Sequence, residues 1–431
     1  MSKGYMNNKT TAELCEKLWI GLVTTMTKSY VEKGTPLIRN SDIKQNKISK
    51  DLINLDTEFA NLHSSRTVKT GDVVTVHTGN VGVSSVVPKE LNGAHGFATI
   101  NSRLKKEFIL PEYYCWFLNS DIFKEQVYQV ITGDGRNNLN LNDFINLKVY
   151  YPSLPIQKKT IEFLNITNSI IEKTQAAIAK YKAIKQGMLN DLFTRGIDIK
   201  TGKLRPKQED APELYKESEL GWIPKEWNEK EIKQIGDVIS GATPSTTNPD
   251  FWGGEIVWIT PADLSKQKDA IYFQKASRKI TELGLQNCSA NLISENNLVI
   301  SSRAPIGYLS IVKVPFTINQ GCKSIKFFEN EVPEYYYYNL LFNLNRLKNF
   351  GEGTTFAEIS KDDFEIFTLP VCKEIEQKLI SNKLQTVDNS INSEQTYLQK
   401  LQQIKSGLMA DLLSGKKLVN VPSELETETR N

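Results

Sequence analysis

The chain is written twice, and that duplication restricts its fold more than any other feature. Residues 185–193 read KQGMLNDLF, and residues 405–413, 220 positions later, read KSGLMADLL. PEYY at 111–114 returns at 333–336. GDG at 133–135 is followed by LNDF at 141–144, and GEG at 351–353 by KDDF at 361–364. Gly82 in GNVGVSSVV has its counterpart in Gly307 of APIGYLSIV. The offsets drift between 218 and 225, as loops of unequal length make them drift. Solenoid repeats have periods of about 20–50 residues, so a unit this long is a duplicated domain. Each half reads as a globular domain followed by a long helix.

The helix is the clearest element of each half. In the first, Leu164, Ile171, Ile178, Lys185 and Leu192 fall seven apart, with Thr167, Thr174, Tyr181 and Met188 in a second row. In the second, Leu384, Ile391, Leu398, Lys405 and Leu412 form one row, and Val387, Glu394, Leu401 and Leu408 the other. Sustained rows of this kind argue for a coiled coil. Two such helices on one chain most simply pack on each other. The alternative is a helix packed on its own domain, because Ile170, Ile184 and Ile404 widen the apolar stripe. Lys185 and Lys405 sit within the rows, where they snorkel or tune the pairing.

The remaining segments set the boundaries. Short β-like runs (DVVTV, VSSVV, EIVWIT, NLVISS, LSIVKV) alternate with turn residues and with helices that open on Pro111 and Pro333. The fold class is therefore α+β: two mixed α/β domains, two spacer helices and an internal pseudo-twofold repeat. The expected order is a first domain at 12–153, a central helix at 154–195 and a charged linker at 196–221. A second domain at 222–370, a distal helix at 371–418 and a frayed tail at 419–431 follow. The four tyrosines at 335–338 read as a helix wedged against a core rather than as stacking platforms for bases.

Composition narrows the function classes. Apolar residues make up 39% of the chain, enough for globular cores, and the net charge is +3, a mild excess compatible with nucleic acid. The five cysteines are widely spaced with no CxxC, which argues against a zinc cluster or a disulfide framework and for a reducing cytoplasm. No signal peptide and no membrane-spanning helix are expected.

The sequence carries no complete catalytic motif. His63, His77 and His95 all fall in the first half, lack HExxH spacing and have no partners in the second. The stretch from Gly196 through Gly202 to Lys203 has the wrong glycine spacing for a phosphate loop, and Leu204 where a hydroxyl is needed. Asn248-Pro249-Asp250-Phe251 approaches an amino-methyltransferase tetrapeptide, but no preceding strand or glycine fingerprint accompanies it. It reads as a turn.

The second half opens GWIPKEWNEKEIKQIGDVISGATPS and continues FWGGEIVWITPADL, SSRAPIGYLSI, INQGCKSI, PEYYYYNLL and GEGTTFAEISKDDFEIFTLPV. With the helix ending KSGLMADLL, these stretches resemble the specificity subunits of type I restriction–modification systems. The first half follows the pattern more loosely. GTPLIRNSDI stands where EIVWITPADL stands, GNVG replaces APIG, and CEKLWIGLV lies near the place of the GWIPKEW opening. YPSLPIQKK departs from the usual approach to the helix. The resemblance covers about 12–418.

That resemblance implies two target-recognition domains, each reading one half of a bipartite, asymmetric site on double-stranded DNA. The helices are implied to form an antiparallel coiled-coil spacer between them. Two methylation subunits are implied to dock on the halves, supplying S-adenosylmethionine binding and adenine methylation. Restriction subunits bring ATP- and Mg-dependent cleavage, so no cofactor is expected on this chain. The competing reading is a standalone or fused DNA-modifying enzyme such as an adenine methyltransferase.

Base readers are expected among Arg, Lys, Asn, Gln, Ser and Thr on loops. The candidates are Thr78, Asn80, Arg136, Asn137 and Asn138 in the first half. In the second they are Thr243, Ser245, Arg303, Gln320, Lys323, Thr354 and Thr355. Arg303 follows the run NLVISS and precedes a turn at Pro305 and Gly307. There its guanidinium meets a guanine edge or a phosphate, or else pairs with a nearby carboxylate.

Overall fold

The computed structural model describes residues 6–131, 138–268, 270–303, 305–350 and 358–419. It divides the chain into two compact units, one of Met1–Ala176 with Thr396–Asn431 and one of Ala177–Gln395. Two long helices, Leu154–Thr194 and Glu374–Leu413, each contribute one half to each unit. The first carries Pro155 in its opening turn, where a missing N–H costs nothing. Each helix ends two residues before a glycine with positive φ, Gly196 at 65° and Gly415 at 71°. That left-handed turn stops a helix and suits glycine.

In the first unit an antiparallel sheet runs in the order Cys15–Ile20, Thr99–Leu104, Val73–Val76, Ser84–Val86. Beside it His95–Phe97 pairs parallel with Thr35–Arg39. Asn7–Thr10 pairs with Lys148–Tyr151 just ahead of the long helix. The helix Pro111–Leu118 buries Tyr113, Tyr114, Trp116 and Phe117 in a core that also takes Leu164 and Leu413. Asn168 meets Lys405 at 2.7 Å (Oδ1 to Nζ), so the helix halves run antiparallel. The Lys405 ammonium also lies 5.0 Å from the Trp116 ring centroid.

The second unit repeats this plan. Its antiparallel sheet runs Gly236–Ser240, Cys322–Phe327, Asn297–Ser301, Leu309–Val312. Phe316–Ile318 pairs parallel with Trp252–Ile259, and Asn228–Glu231 pairs with Thr368–Val371 before the second long helix. Tyr335, Tyr336, Tyr337 and Tyr338 are buried, with the Tyr335 hydroxyl donating to the Pro370 carbonyl and the Tyr338 hydroxyl to Asp388. Rings held in this way are core, unavailable to stack on bases. Lys185 binds Asp388 at 2.6 Å and lies 5.4 Å from the Tyr338 ring. Ile197 N–H donates to Glu376, so these helix halves are also antiparallel. With the 220-residue offset, Lys185–Asp388 and Lys405–Asn168 are the same contact in two copies.

The heptad rows face inward. Leu164, Ile171, Ile178, Leu192, Leu384, Ile391, Leu401 and Leu412 are buried, while Tyr181, Met188, Leu398 and Leu408 are half-buried.

The segment 196–221, expected as a linker, is instead folded. Tyr215–Ser218 forms a hairpin with Gly221–Pro224. Arg205 is buried because Glu376 grips it through two contacts of 2.6 and 3.1 Å. Glu376 also accepts from the Trp227 indole. A Cβ at position 196 would meet Glu376, Arg205 and Trp227 within 2.6 Å, which leaves room for glycine alone.

Candidate nucleic-acid interface

The same main-chain construction appears at one edge of each head. In the second unit the strand Asn297–Ser301 runs out into Ser302 and Arg303. Ser302 N–H donates to the Gly321 carbonyl, and Ile359 N–H donates to the Ser302 carbonyl. Arg303 bridges antiparallel to Glu358. In the first unit Leu139 N–H donates to the His77 carbonyl, and Thr78 bridges antiparallel to Asn138. These are the two matching loops of the duplication, joined to the two matching segments that precede LNDF and KDDF.

Several candidates therefore converge in the second head. Arg303 Nε lies 2.9 Å from Glu358, an ion pair that is half exposed on both sides. The carboxylate partner expected as one alternative for Arg303 is thus present. Such exposed pairs contribute about 0–1 kcal/mol, so an anionic ligand displaces them at little cost. Lys323, on the neighbouring strand, is only 6% exposed. Burial pulls its ammonium below the ordinary lysine range against the pull of Glu358, and Arg303 and Lys361 add to the lowering. The Thr243 hydroxyl donates to Gln320 at 2.5 Å, tying two candidate loops together. The Ser245 hydroxyl meets Thr247 at 2.9 Å on the exposed loop.

In the first head Thr78 and Asn138 are brought together, and Asn80 is exposed at the loop tip. Asn138 Oδ1 is buried without a hydrogen-bond partner among the described residues. Asn40, absent from the candidates read from sequence, supports the loop by accepting from His77 N–H at 3.4 Å. Arg136, Asn137, Thr354 and Thr355 lie outside the described residues.

Sequence reasoning also missed a cation on the second head. The Arg278 guanidinium carbon lies 3.3 Å from the Trp252 ring centroid and 5.8 Å from that of Trp258. Spacing gave no usable signal, because the register of this strand shifts between Trp252 and Ile256, and only the folded strand brings the two rings together.

Two of the histidines serve structure. His95 is buried with Nε2 3.1 Å from the Ala60 carbonyl, and His63 packs on Phe59. Burial pushes the Cys15 thiol up to about 12 and raises Cys115, Cys322 and Cys372 as well, so these thiols are poor nucleophiles. Asn248 caps the short turn Pro249–Phe251 through Asp250 N–H, as its turn reading anticipates. Among the described residues no three His, Cys, Asp or Glu side chains converge as metal ligands, and no helix is long and apolar enough to cross a membrane. A polar cleft of about 700 Å³ in the first unit is lined by Lys124, Glu172 and Lys405, but by none of the candidate base readers.

A duplicated α+β chain with one matching loop edge per head and a pair of antiparallel helices is the architecture of a two-headed recognition protein. The family model for the type I restriction modification DNA specificity domain matches it twice, over residues 6–180 and 224–403, and the chain belongs to this family. It is similar to the type I restriction enzyme MjaIX specificity subunit of Methanocaldococcus jannaschii, at 38% identity over 194 residues. That match takes in 44% of this chain and 44% of that subunit. A longer match, 25% identical over 87% of this chain and 81% of the relative, is to the putative MjaX specificity subunit of the same organism. The crystal structure of the type I restriction-modification system S subunit from M. genitalium shares the fold, with a TM-score of 0.60, 13% identity and 98% of each chain covered.

Proposed function

We propose that this chain is the DNA-specificity subunit of a type I restriction–modification complex. Each head reads one half of a bipartite, asymmetric site on double-stranded DNA. The observation that carries this reading is the repeated loop edge, Thr78 against Asn138 and Arg303 against Glu358, within a family model matched once per head. A reader of two half-sites needs two similar heads with different side chains at equivalent loops. Those loops meet the requirement, since a neutral pair in one head stands where an ion pair stands in the other.

The subunit is non-catalytic and works in the cytoplasm. S-adenosylmethionine, ATP and Mg belong to the partners, two methylation subunits and the restriction subunits that join through them. The paired helices set the distance between the heads.

Methylome sequencing of cells with and without this gene tests the reading. We expect the gene to add one methylated motif made of two short specific halves separated by an unspecified gap. An unchanged methylome in cells that make the assembled complex would overturn it. Stoichiometric S-adenosylmethionine binding by the isolated chain would favour a modifying enzyme instead.

A further inference from the structure

Arg278 lies in the strand Arg278–Ile280, paired antiparallel to Trp252–Ile259 with Trp258 opposite it. It is exposed, yet its guanidinium lies flat against Trp252. The platform beneath it is fixed. The Trp252 indole donates to the Ser245 carbonyl and the Trp258 indole to the Ala242 carbonyl, both at 3.0 Å. The two rings meet edge to face at 5.0 Å.

Other cations of this head are paired. Lys279 pairs with Glu255, and Arg303 with Glu358. Asp263, the buried carboxylate of this region, is occupied by Thr260 and Ser277. Arg278 makes no ion pair among the described residues. Stacking engages the face of a guanidinium and leaves its planar edge of N–H donors free. The platform is continuous with the candidate interface, because the Ala242–Ser245 loop that holds both indoles also ties Thr243 to Gln320.

The first head is built differently at this position. The corresponding strands put Leu37 opposite Ile53, where the second head puts Trp258 opposite Arg278. A feature carried by one head alone is what reading a different half-site requires.

We propose that Arg278, stacked on Trp252, is a DNA-contacting residue particular to the second head. Its guanidinium edge meets a matched pair of acceptors on that half-site, either guanine O6 and N7 or two phosphate oxygens. Trp252 is the positioning residue that fixes the plane. The inference rests on the proposed DNA-reading function and adds the residue and the chemistry of its contact.

The test uses the full chain assembled with its methylation subunits, titrated at two salt concentrations against the methylome-defined duplex and single-substitution duplexes. We expect Arg278→Ala to assemble normally and to bind the cognate duplex about 5- to 100-fold more weakly. If the contact is a guanine, Arg278→Lys does not restore binding and the loss disappears on duplexes altered at one position of the second half-site. If it is a phosphate, Arg278→Lys restores much of the binding. All sequences then weaken alike in Arg278→Ala, and the salt dependence falls by about one counterion. Trp252→Leu should reproduce part of the loss with the same sequence dependence. Wild-type affinity and salt dependence in an assembled Arg278→Ala complex would overturn the proposal and leave the DNA-reading function standing. Absence of sequence-specific binding by the wild-type complex would overturn both.

Discussion

Glu376 shows what a single residue contributes. It is 1% exposed and accepts from Arg205, from the Ile197 N–H and from the Trp227 indole. Removing a charge partner from so buried a carboxylate leaves the remaining charge poorly compensated, which typically costs about 3–5 kcal/mol. We therefore expect Arg205→Ala to lower the thermal and urea midpoints clearly. Lys203→Ala, on the exposed turn two residues away, should leave them near wild type. Equal effects of the two substitutions would refute the buried-pair account. This contact was hidden in the sequence. Arg205 stands among several charges in 196–221, a stretch that reads as a linker, and its partner lies 171 residues away. Composition cannot tell which charge in a charged segment will find a buried partner. Arg278 was missed for a related reason, since the ring it stacks on is brought to it by strand pairing.

At the scale of elements, the long helices were legible because many residues each repeat the same spacing. The buried rows from Leu164 to Leu192 and from Leu384 to Leu412 follow it, and Pro111 and Pro333 mark helix starts in the sequence as they do in the fold. Strand partnership was not legible. The parallel pairing of Thr35–Arg39 with His95–Phe97 joins residues some sixty positions apart, and no local pattern encodes it. Lys185 and Lys405, read from the sequence as snorkelling or tuning the pairing, each make a contact across the helix pair, one to Asp388 and one to Asn168. Such polar contacts fix axial register, because sliding either helix by a turn leaves a half-buried ammonium without its oxygen. If the helices are the ruler between half-sites, matched four-residue insertions after Ala176 and after Thr396 should preserve both contacts. They would lengthen each helix by about 6 Å at about 1.5 Å per residue. We expect the unspecified gap of the methylated motif to widen by about two base pairs, at about 3.4 Å each, with both specific halves unchanged. An unaltered gap in the methylome of such a variant would show that something other than helix length sets the spacing.

For the whole molecule, the duplication was readable from five ordered matches, but the sequence assigned each helix to the domain before it. The structure divides the helices instead, so that each unit closes its core with halves of both. Antiparallel pairing across 220 residues does this, and nothing local announces it. Each unit nevertheless has its own hydrophobic core, with Leu384 and Leu189 in the second and Leu164 and Leu413 in the first. Separate cores and different loop chemistry predict that the two readings are separable. Replacing residues 222–369 with the matching domain of a relative tests this. The graft should keep a tyrosine at position 338, because Asp388 accepts from its hydroxyl and from Lys185. It should also keep a carboxylate at position 331, which receives the Tyr336 hydroxyl and the Gln377 amide. With those contacts retained, the grafted head rests on the native helices. Nothing in the core of the first unit is touched, since every residue of that core lies outside 222–369. Methylome sequencing should then show a new second half-motif beside the original first one, at the original spacing. A change in both halves would mean that the heads do not read independently, and a loss of all methylation with the complex intact would mean that the graft failed to present its own reading loops.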